Sequence, residues 1–327
     1  MKDPQLCHCG SLQLWISCCR QILPRRYVRC SCTYCIAVIL PTSMAEATII
    51  DGRELAGAVR AELSDRVASI VEHGRSVRLD AVLVGSDQGA ALYAKNQVKA
   101  CGEVGIDYSL HELDETASQG DIEAKIDELN ADTSVHAIMV HMPLPEGVDA
   151  SAIQTRIAVD KDVEGVNPAN IGNIDFARRS LVPGAALAVL EMIESTGIEI
   201  KGARAVCVGA STIVGKPVAV LLMQAEATVI STNKFTRDHH SLTRDADILV
   251  TAAGVPNLIT ADQVKQGAVV IDVGINQVVG EDGKHRTVGD VDFEAVKAVA
   301  GHISPVPGGV GPMTVAMLLR NTVQAAE

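Results

Sequence analysis

The first half of the chain alternates helical and strand patterns of apolar residues. Apolar side chains recur about every fourth position along one predicted helix: Leu55, Val59, Leu63 and Val67. The mostly apolar segment 79–84, which ends at Gly85, predicts a short strand, and a second helix over 90–104 stops at a glycine. A further buried strand over 137–140 precedes a helix predicted over 150–158. This alternation indicates a mostly parallel sheet with helices on both faces.

A second unit begins near Pro183 and repeats the alternation around a glycine-rich turn. The strand 204–208 runs directly into the turn 209–217, and a helix follows to about Ala225. The other predicted elements are a helix over 185–195, strands over 228–230, 248–251 and 268–273, and a final helix over 313–324 after the glycine-rich break 308–312. We predict an α/β fold of two domains, the second doubly wound like a Rossmann fold.

Residues 1–43 differ sharply in composition from the rest of the chain. They hold seven of the nine cysteines, the only tryptophan, and five Lys or Arg residues against one acid. Three interpretations stay open for this leader. The first is a cysteine-rich metal site, although paired Cys-x₂₋₄-Cys knuckles and a matching histidine pair are missing. The second is an organelle transit peptide. The third is an upstream extension, with the functional chain beginning at Met44. We favour the extension.

Composition narrows the function classes. The chain is 47% apolar and 21% charged, as expected for a folded globular protein. Its net charge of −12 and its 2% aromatic content argue against a nucleic-acid partner, which needs a basic surface and stacking rings. No apolar run of about 18 residues predicts a membrane span. Only Cys101 and Cys207 follow the leader, so we expect no disulfide framework, no metal site and a cytoplasmic protein.

The turn 209–217 carries the clearest candidate chemistry. Glycines between a strand and a helix let backbone N–H groups approach a pyrophosphate at the positive end of the helix dipole. The pattern is Gly-x-Ser-x-x-Val-Gly-x-Pro rather than the ordinary Gly-x-Gly-x-x-Gly. The cofactor candidates within it are Gly209, Ala210, Ser211, Val214 and Gly215.

Residues after the next strand bear on the choice of cofactor. An acid at this place would hold the ribose 2′-hydroxyl of NAD, whereas a base would pair with the 2′-phosphate of NADP. Lys234 stands there, and Thr236 follows it. We predict a nicotinamide dinucleotide with a preference for NADP, and NAD stays the alternative.

Several motifs follow one another in order from Met44 to the C-terminus. They are Ile49-Ile50-Asp51-Gly52, Tyr93 with Lys99-Ala100-Cys101 and Val104-Gly105-Ile106, Met142-Pro143-Leu144-Pro145, Lys161-Asp162-Val163-Glu164-Gly165, the glycine turn, Ile271-Asp272-Val273-Gly274-Ile275-Asn276, Val288-Gly289-Asp290-Val291 and Pro305-Val306-Pro307-Gly308-Gly309-Val310-Gly311-Pro312-Met313-Thr314. Together they closely resemble the methylenetetrahydrofolate dehydrogenase/cyclohydrolase family.

The resemblance implies an enzyme that oxidises 5,10-methylenetetrahydrofolate to the methenyl form with NAD(P). Most members then hydrolyse that product to 10-formyltetrahydrofolate. The resemblance also implies a homodimer, and a folate cleft between a catalytic domain, 44–185, and an NAD(P) domain, 186–312, with the C-terminal helix, 313–327, returning to the first. It places folate contacts at Pro307, Gly308 and Gly309, and further cofactor contacts at Ala253, Gly254, Gly274, Ile275 and Thr314.

Four places around the folate depart from the family pattern. The lysine of the family's Tyr-x-x-x-Lys motif is Gln97 here, counted from Tyr93. The glutamine before Leu-Pro-Leu-Pro is His141, and the second aspartate of Lys-Asp-Val-Asp-Gly is Glu164. The family's Pro-Cys-Thr-Pro run is replaced by the sequence at 183–186. The resemblance assigns four side chains to folate binding and catalysis: Tyr93, Gln97, His141 and Glu164.

These departures affect the two activities unequally. Hydride transfer is driven by the folate nitrogens and needs alignment with the nicotinamide, but no side chain that exchanges a proton. Hydrolysis needs an activated water and moved protons, which the neutral amide of Gln97 cannot supply. Lys95 and Lys99 are offset from Gln97 by about 200° on a helix, so neither takes its place. We expect a dehydrogenase whose cyclohydrolase activity is lost or weak.

Three alternatives stay open. His141 titrates near neutrality and would retain both activities if it replaced the lysine as the general base. The altered folate site also suits methylenetetrahydromethanopterin as the substrate. The third alternative is a catalytically silent paralogue that binds folate or nucleotide. In each enzymatic case Glu164 accepts hydrogen bonds from the pterin N–H groups, and Tyr93 orients Gln97 or lies near the pterin.

Overall fold

The structure is a computed structural model that describes residues 46–178, 180–280 and 283–327. The leader and its three interpretations therefore lie outside the described residues. Within the described ranges, no helix is both long and apolar enough to cross a membrane.

The described chain contains eleven strands and ten α-helices. The strands are β1 (Thr48–Ile49), β2 (Arg78–Val84), β3 (Asp107–Leu113), β4 (Ala137–Val140), β5 (Arg204–Val208), β6 (Thr228–Thr232), β7 (Ile248–Thr251), β8 (Val269–Asp272), β9 (Asn276–Val279), β10 (His285–Val288) and β11 (His302–Ile303). The helices are α1 (Gly52–Glu72), α2 (Gln88–Val104), α3 (Gln119–Ala131), α4 (Ala150–Arg156), α5 (Pro168–Asp175), α6 (Gly184–Glu194), α7 (Gly215–Gln224), α8 (His239–Arg244), α9 (Phe293–Lys297) and α10 (Val310–Ala326).

The first half of the chain forms a parallel three-stranded sheet in the order β3-β2-β4. Side chains of the central strand alternate between two apolar clusters. Leu79 and Ala81 belong to the cluster that also contains residues of α1 and α10, whereas Val82 and Val84 pack with residues of α3. Both faces of the sheet are thus covered by helices, as the alternating pattern predicted.

The second half forms a parallel six-stranded sheet in the order β1-β11-β8-β7-β5-β6. The first strand of this unit, β5, is flanked by β6 on one side and β7 on the other, so the strand order reverses there. Ligands of doubly wound folds bind at the carboxyl edge of the sheet near such a reversal. The strand order therefore confirms the predicted α/β fold and locates the edge where a cofactor site belongs.

The N-terminal strand β1 joins this second sheet, because Thr48 is paired with His302 in parallel register. The sequence interpretation grouped this segment with 44–185. A strand of two residues is too short to show a hydrophobic period, so its partner could not be read from the pattern. The domain boundaries themselves stay a prediction.

The C-terminal helix α10 packs on the first half of the molecule, as the resemblance implied. The buried amide of Asn321 donates to the carbonyls of Val163 and Val182, each at 2.8 Å, and Arg75 donates to the carbonyl of Ala326 at 2.9 Å. The helix begins at Val310, three residues before the predicted start. Pro312 lies in its first turn, where the missing N–H has no partner to lose.

Candidate active site

The glycine turn lies where β5 meets α7, and two of its glycines are sterically required. Gly209 has φ +102°, and a Cβ there would lie 2.2 Å from the carbonyl oxygen of Ala252. A Cβ on Gly215 would lie 1.9 Å from the carbonyl oxygen of Gly209. Only glycine permits this close approach of strand, turn and helix. The turn thus presents backbone at a helix N-terminus, which is the cradle a dinucleotide pyrophosphate needs.

Ser211 holds the shape of the turn. Its hydroxyl oxygen accepts N–H groups from Val214 at 3.3 Å and from Gly215 at 3.2 Å, and its carbonyl accepts from Lys216 at 3.0 Å. The serine therefore does the work of an N-cap for a helix whose Ncap residue, Val214, has no capping side chain.

Two buried aspartates that the sequence interpretation did not select fix the rest of this edge. Asp290, which is 0% exposed, accepts backbone N–H groups from Ala253, Gly254 and Val255 at 2.7–3.0 Å. It also accepts an N–H from the Asn276 amide at 2.9 Å. Four donors on one carboxylate hold the loop that follows β7 rigidly.

Asp272, at the end of β8, holds Asp290 in turn. Its carboxylate accepts N–H groups from Gly274, Asp290 and Val291 at 2.9–3.0 Å and the hydroxyl of Thr251 at 3.1 Å. A Cβ on Gly274 would lie 2.2 Å from a carboxylate oxygen of Asp290. Burial raises the pKa of Asp272, and the backbone hydrogen bonds oppose that shift. Both aspartates act on the cofactor edge through backbone that they position.

A cleft of about 400 Å³ opens beside these loops. Its wall joins the glycine turn to the proline- and glycine-rich segment that precedes α10. The predicted site residues in this wall are Val214, Gly274, Ile275, Pro307, Gly308 and Thr314. A Cβ on Gly52 would lie 1.8 Å from the carbonyl oxygen of Gly309, so the start of α1 abuts the same segment. The predicted cofactor and folate backbone positions therefore meet at one cleft.

Lys234 and Thr236 follow β6, with Lys234 exposed and Thr236 partly buried. The hydroxyl of Thr236 accepts the N–H of Asn233 at 2.9 Å, which closes a tight turn. The ammonium of Lys234 lies 5.0 Å from the ring centre of Phe235, a side chain that is itself exposed. This is a weak cation–π contact, and it leaves the lysine free to move toward a ligand phosphate.

The predicted folate side chains form a second group, brought together by α2 and the end of β4. The rings of Tyr93 and His141 meet edge to face, with their centres 6.0 Å apart. Gln97 is 1% exposed and His141 is 2% exposed, whereas Tyr93 is 40% exposed. The lining of the 400 Å³ cleft does not include these residues among those the structure describes.

A residue absent from the sequence interpretation, Tyr108 on β3, links this group. Its hydroxyl donates to the Gln97 carbonyl oxygen at 3.3 Å and lies 3.3 Å from Nε2 of His141. The Gln97 amide nitrogen donates to the sulfur of Met139 at 3.1 Å. Burial lowers the pKa of His141, which favours the neutral imidazole. Gln97 is therefore held by neutral neighbours.

Glu164 brings the negative charge of the site. Its Oε2 is buried and has no hydrogen-bond partner among the described residues. Burial, together with the nearby Asp162 carboxylate, raises the pKa of Glu164 to about 7. Burial and then the charge of Glu164 raise the pKa of Tyr93, and a hydrogen bond with Gln97 opposes both. An unpartnered carboxylate oxygen beside a tyrosine suits recognition of N–H donors on a ligand.

The lysines near this group in the sequence do not contact Gln97 among the hydrogen bonds and ion pairs of the described residues. Lys95 and Lys99 lie on exposed positions of α2, and the Lys99 ammonium is 3.9 Å from Glu103. Lys161 donates to three carbonyl oxygens at the end of α3, those of Leu129, Asn130 and Asp132. The exposed positions of Lys95 and Lys99 agree with the helical offset predicted between them and the buried Gln97.

The fold and this site define a class of protein: a two-domain α/β oxidoreductase with an NAD(P)-binding domain of Rossmann type. Two family models match the chain in the order of its domains. The tetrahydrofolate dehydrogenase/cyclohydrolase catalytic domain matches residues 50–164, and the NAD(P)-binding domain of the same family matches residues 183–327. The chain belongs to the tetrahydrofolate dehydrogenase/cyclohydrolase family, which confirms the resemblance of the motifs.

Similar proteins support this membership along almost their whole length. The bifunctional protein FolD of Moorella thermoacetica is 46% identical over 281 residues, which is 86% of this chain and 99% of that protein. The FolD of Cupriavidus taiwanensis is 48% identical over 281 residues, covering 86% and 98%.

Two solved structures have the same fold. The bifunctional FolD methylenetetrahydrofolate dehydrogenase/cyclohydrolase of Campylobacter jejuni superposes with a TM-score of 0.81 at 40% identity, covering 86% of this chain and 98% of that one. The FolD of Trypanosoma brucei, solved with NADP and an inhibitor, gives a TM-score of 0.80 at 37% identity, with the same coverage. The chain is accordingly an NAD(P)-dependent enzyme of folate chemistry, with methylenetetrahydrofolate dehydrogenase as the supported activity.

Proposed function

We propose that this enzyme oxidises 5,10-methylenetetrahydrofolate to 5,10-methenyltetrahydrofolate and that its cyclohydrolase activity is lost or weak. The observation that carries the proposal is the buried Gln97 amide at the place of the family's lysine. Its oxygen accepts from Tyr108 and its nitrogen donates to Met139. Because an amide neither gains nor loses a proton near neutral pH, Gln97 cannot act as the general acid or base of hydrolysis. Hydride transfer needs alignment rather than that exchange, so it survives the substitution.

The cofactor would be held by the glycine turn and by the loop that Asp290 fixes. When bound, the nicotinamide ring supplies the hydride acceptor. The sterically required glycines at 209 and 215 fit this group, because they leave room for a pyrophosphate against backbone. We assign contacts in this region to Gly209, Ala210, Ser211, Val214, Gly215, Ala253, Gly254, Gly274, Ile275 and Thr314.

NADP is the proposed cofactor, with NAD as the alternative. Lys234 follows β6, where a base pairs with the 2′-phosphate. Within the described part of the chain, the contact given for its ammonium is the one with the Phe235 ring. The complex of the Trypanosoma brucei relative with NADP supports the same choice.

The folate would lie between the second group of residues and the cleft. Glu164 would accept pterin N–H groups at its unpartnered oxygen, and Tyr93 would lie along the ring system. Pro307, Gly308 and Gly309 would supply the backbone wall on the cofactor side. No proton transfer is required of any of these residues during hydride departure.

Hydrolysis would need a base beside the attacking water, and the two tyrosines next to Gln97 do not supply one. Burial raises the pKa of Tyr108, and Tyr93 is shifted in the same direction, so neither hydroxyl ionises near neutrality. Glu164, with its pKa of about 7, is assigned to the pterin N–H groups and would be engaged by the substrate. His141 is neutral, but one of its two nitrogens is occupied by Tyr108. The other nitrogen keeps one alternative alive: retained hydrolysis with His141 as the base.

The family membership supports a homodimer, and the charge and cysteine distribution support a cytoplasmic protein.

The test is a turnover assay on the full chain. Methylenetetrahydrofolate is mixed with NADP or NAD, and methenyl absorbance and reduced cofactor are followed together. We expect equal amounts of both products, with the higher kcat/KM for NADP. Absence of turnover with either cofactor would overturn the proposal, and would favour methylenetetrahydromethanopterin as the substrate or a silent binding protein.

A further inference from the structure

Three polar side chains from three elements meet beside the folate site. Gln97 comes from α2, Tyr108 from β3 and His141 from the residue after β4. The Tyr108 hydroxyl lies 3.3 Å from the Gln97 carbonyl oxygen and 3.3 Å from Nε2 of His141. Tyr108 is thus the only link between the other two among the hydrogen bonds of the described residues.

The hydroxyl carries one proton, which determines the direction of both hydrogen bonds. The Gln97 oxygen can only accept, so the Tyr108 proton must point to it. The remaining contact of the hydroxyl is then an accepted hydrogen bond, and His141 must donate through a protonated Nε2. A neutral imidazole protonated at Nε2 has its lone pair on Nδ1.

The orientation of the Gln97 amide supports this direction. Its nitrogen lies 3.1 Å from the sulfur of Met139, which is an acceptor only. This contact requires the N–H side of the amide. The reversed amide would place its carbonyl oxygen against the Met139 sulfur and leave that buried oxygen without a donor.

We propose that Tyr108 is a positioning residue that fixes His141 as the Nε2-protonated tautomer and so keeps Nδ1 as the unprotonated nitrogen of the site. Nδ1 has no hydrogen-bond partner among the described residues. The inference rests on the proposed function, because it takes the bound ligand to be a reduced pterin. Nδ1 would accept a hydrogen bond from that pterin or from a water beside it. Removing the Tyr108 hydroxyl would take away one hydrogen bond of Gln97 and would allow either nitrogen of the His141 imidazole to carry the proton.

The tautomer is measurable without substrate or turnover. Nitrogen-15 NMR of the imidazole rings in the full chain distinguishes a protonated from a bare ring nitrogen, and His141→Gln assigns the signal by its loss. We expect wild-type His141 to be protonated at Nε2 and bare at Nδ1. A wild-type ring protonated at Nδ1 alone overturns the proposal, whether or not the enzyme proves to be a dehydrogenase.

Tyr108→Phe tests the cause, and Tyr93→Phe is its matched control. Both changes remove one hydroxyl beside the same imidazole, but only the Tyr108 hydroxyl is within hydrogen-bond distance of it. Tyr108→Phe should give a mixture of tautomers, whereas Tyr93→Phe should keep the wild-type one. An unchanged tautomer in folded Tyr108→Phe contradicts the assigned role.

Kinetics add a second readout. We expect Tyr108→Phe to raise the KM for the folate about fivefold with little change in kcat, as loss of one oriented hydrogen bond does. Equal KM values in the variant and the wild type would show that the tautomer does not act on substrate binding, which also contradicts the positioning role.

Discussion

Buried polar atoms have different hydrogen-bond partners in two regions of this enzyme. The first region is the cofactor edge, held by Asp272 and Asp290, and the second is the folate group, which contains Gln97, His141 and Glu164. At the cofactor edge, the buried carboxylate of Asp290 accepts four N–H groups from the protein itself. In the folate group, Oε2 of Glu164 is buried with no partner among the described residues. Two regions of one molecule therefore treat buried polar atoms differently.

The difference shows what each region must do. A loop that presents backbone to a dinucleotide is effective when it is already rigid, so its charges are satisfied internally. A group that recognises a pterin keeps polar atoms for the ligand, at a cost in folding stability. Of the four departures from the family pattern, three are side chains of the second region: Gln97, His141 and Glu164. The proposed loss of hydrolysis alongside retained hydride transfer depends on these three side chains.

The largest expected effect comes from a change at the cofactor edge, where the protein itself supplies the hydrogen-bond partners of Asp290. Asp290→Asn keeps the shape but places an NH₂ group among four donors, so at least one buried N–H loses its acceptor. We expect the free energy of unfolding to fall by about 3 kcal/mol and the Kd for NADP to rise at least about tenfold. Thermal unfolding and cofactor titration measure the two effects.

Asp262→Asn is the control for that change. Its carboxylate is 70% exposed and accepts from His240 and Thr260, so its loss should change the free energy of unfolding little. Equal melting temperatures of Asp290→Asn and Asp262→Asn, together with a wild-type Kd for NADP, would refute the claim that Asp290 fixes the loop at the cofactor edge.

A smaller effect is expected at the unsatisfied carboxylate, and it depends on pH. The pKa of Glu164 is raised to about 7 in the folded protein, so the folded state holds a proton that the unfolded state has released. Stability from this group is present below the ordinary glutamate pKa and is lost as pH rises to about 7. Between pH 5 and pH 8 this group should lower the free energy of unfolding of the wild type by roughly 2 kcal/mol. Glu164→Gln should not show that decrease.

The folate kinetics should respond to Glu164 in the opposite direction. Because the ionised carboxylate is the stronger acceptor, kcat/KM for the folate should rise with pH through about 7 in the wild type. Glu164→Gln should flatten that rise, whereas Glu112→Gln, at an exposed position of β3, should keep it. A wild-type profile that is level across this range would contradict the assigned role of Glu164.

The smallest expected effect concerns the rim of the cofactor edge. Lys234→Glu should raise the Kd for NADP about fivefold and change that for NAD little, because only NADP carries the 2′-phosphate. Lys201→Glu is the control, since Lys201 precedes β5 at the opposite edge of the sheet and pairs with Glu226. Equal losses for the two cofactors would remove Lys234 from the 2′-phosphate site.

Elements buried on both faces were predictable from the sequence. The strands over 137–140, 204–208 and 248–251 have the predicted bounds, because each contains a run of at least three consecutive buried apolar residues. The edge strand β3 was not predicted, since its side chains are exposed or only partly buried and its composition is polar. The hairpin of β9 and β10 was missed for the same reason.

The candidate site was predictable only where a motif carried it. The motifs predicted that Tyr93 and His141 share one site, and their rings do meet. Tyr108 was missed, because it lies outside the motifs and reaches Gln97 only through strand pairing between β3 and β2. Asp290 lay in a quoted motif, but its role depends on four tertiary hydrogen bonds that no spacing reveals.

The central claim is that the folate group transfers no proton to or from water, and direct addition of 5,10-methenyltetrahydrofolate tests it. The hydrolysis rate is measured with wild-type enzyme, with Gln97→Lys and with buffer alone. We predict that the wild type matches the buffer and that Gln97→Lys accelerates hydrolysis at least about tenfold, the range of a positioned general base. Wild-type acceleration that disappears in His141→Ala would contradict the claim and identify His141 as the base.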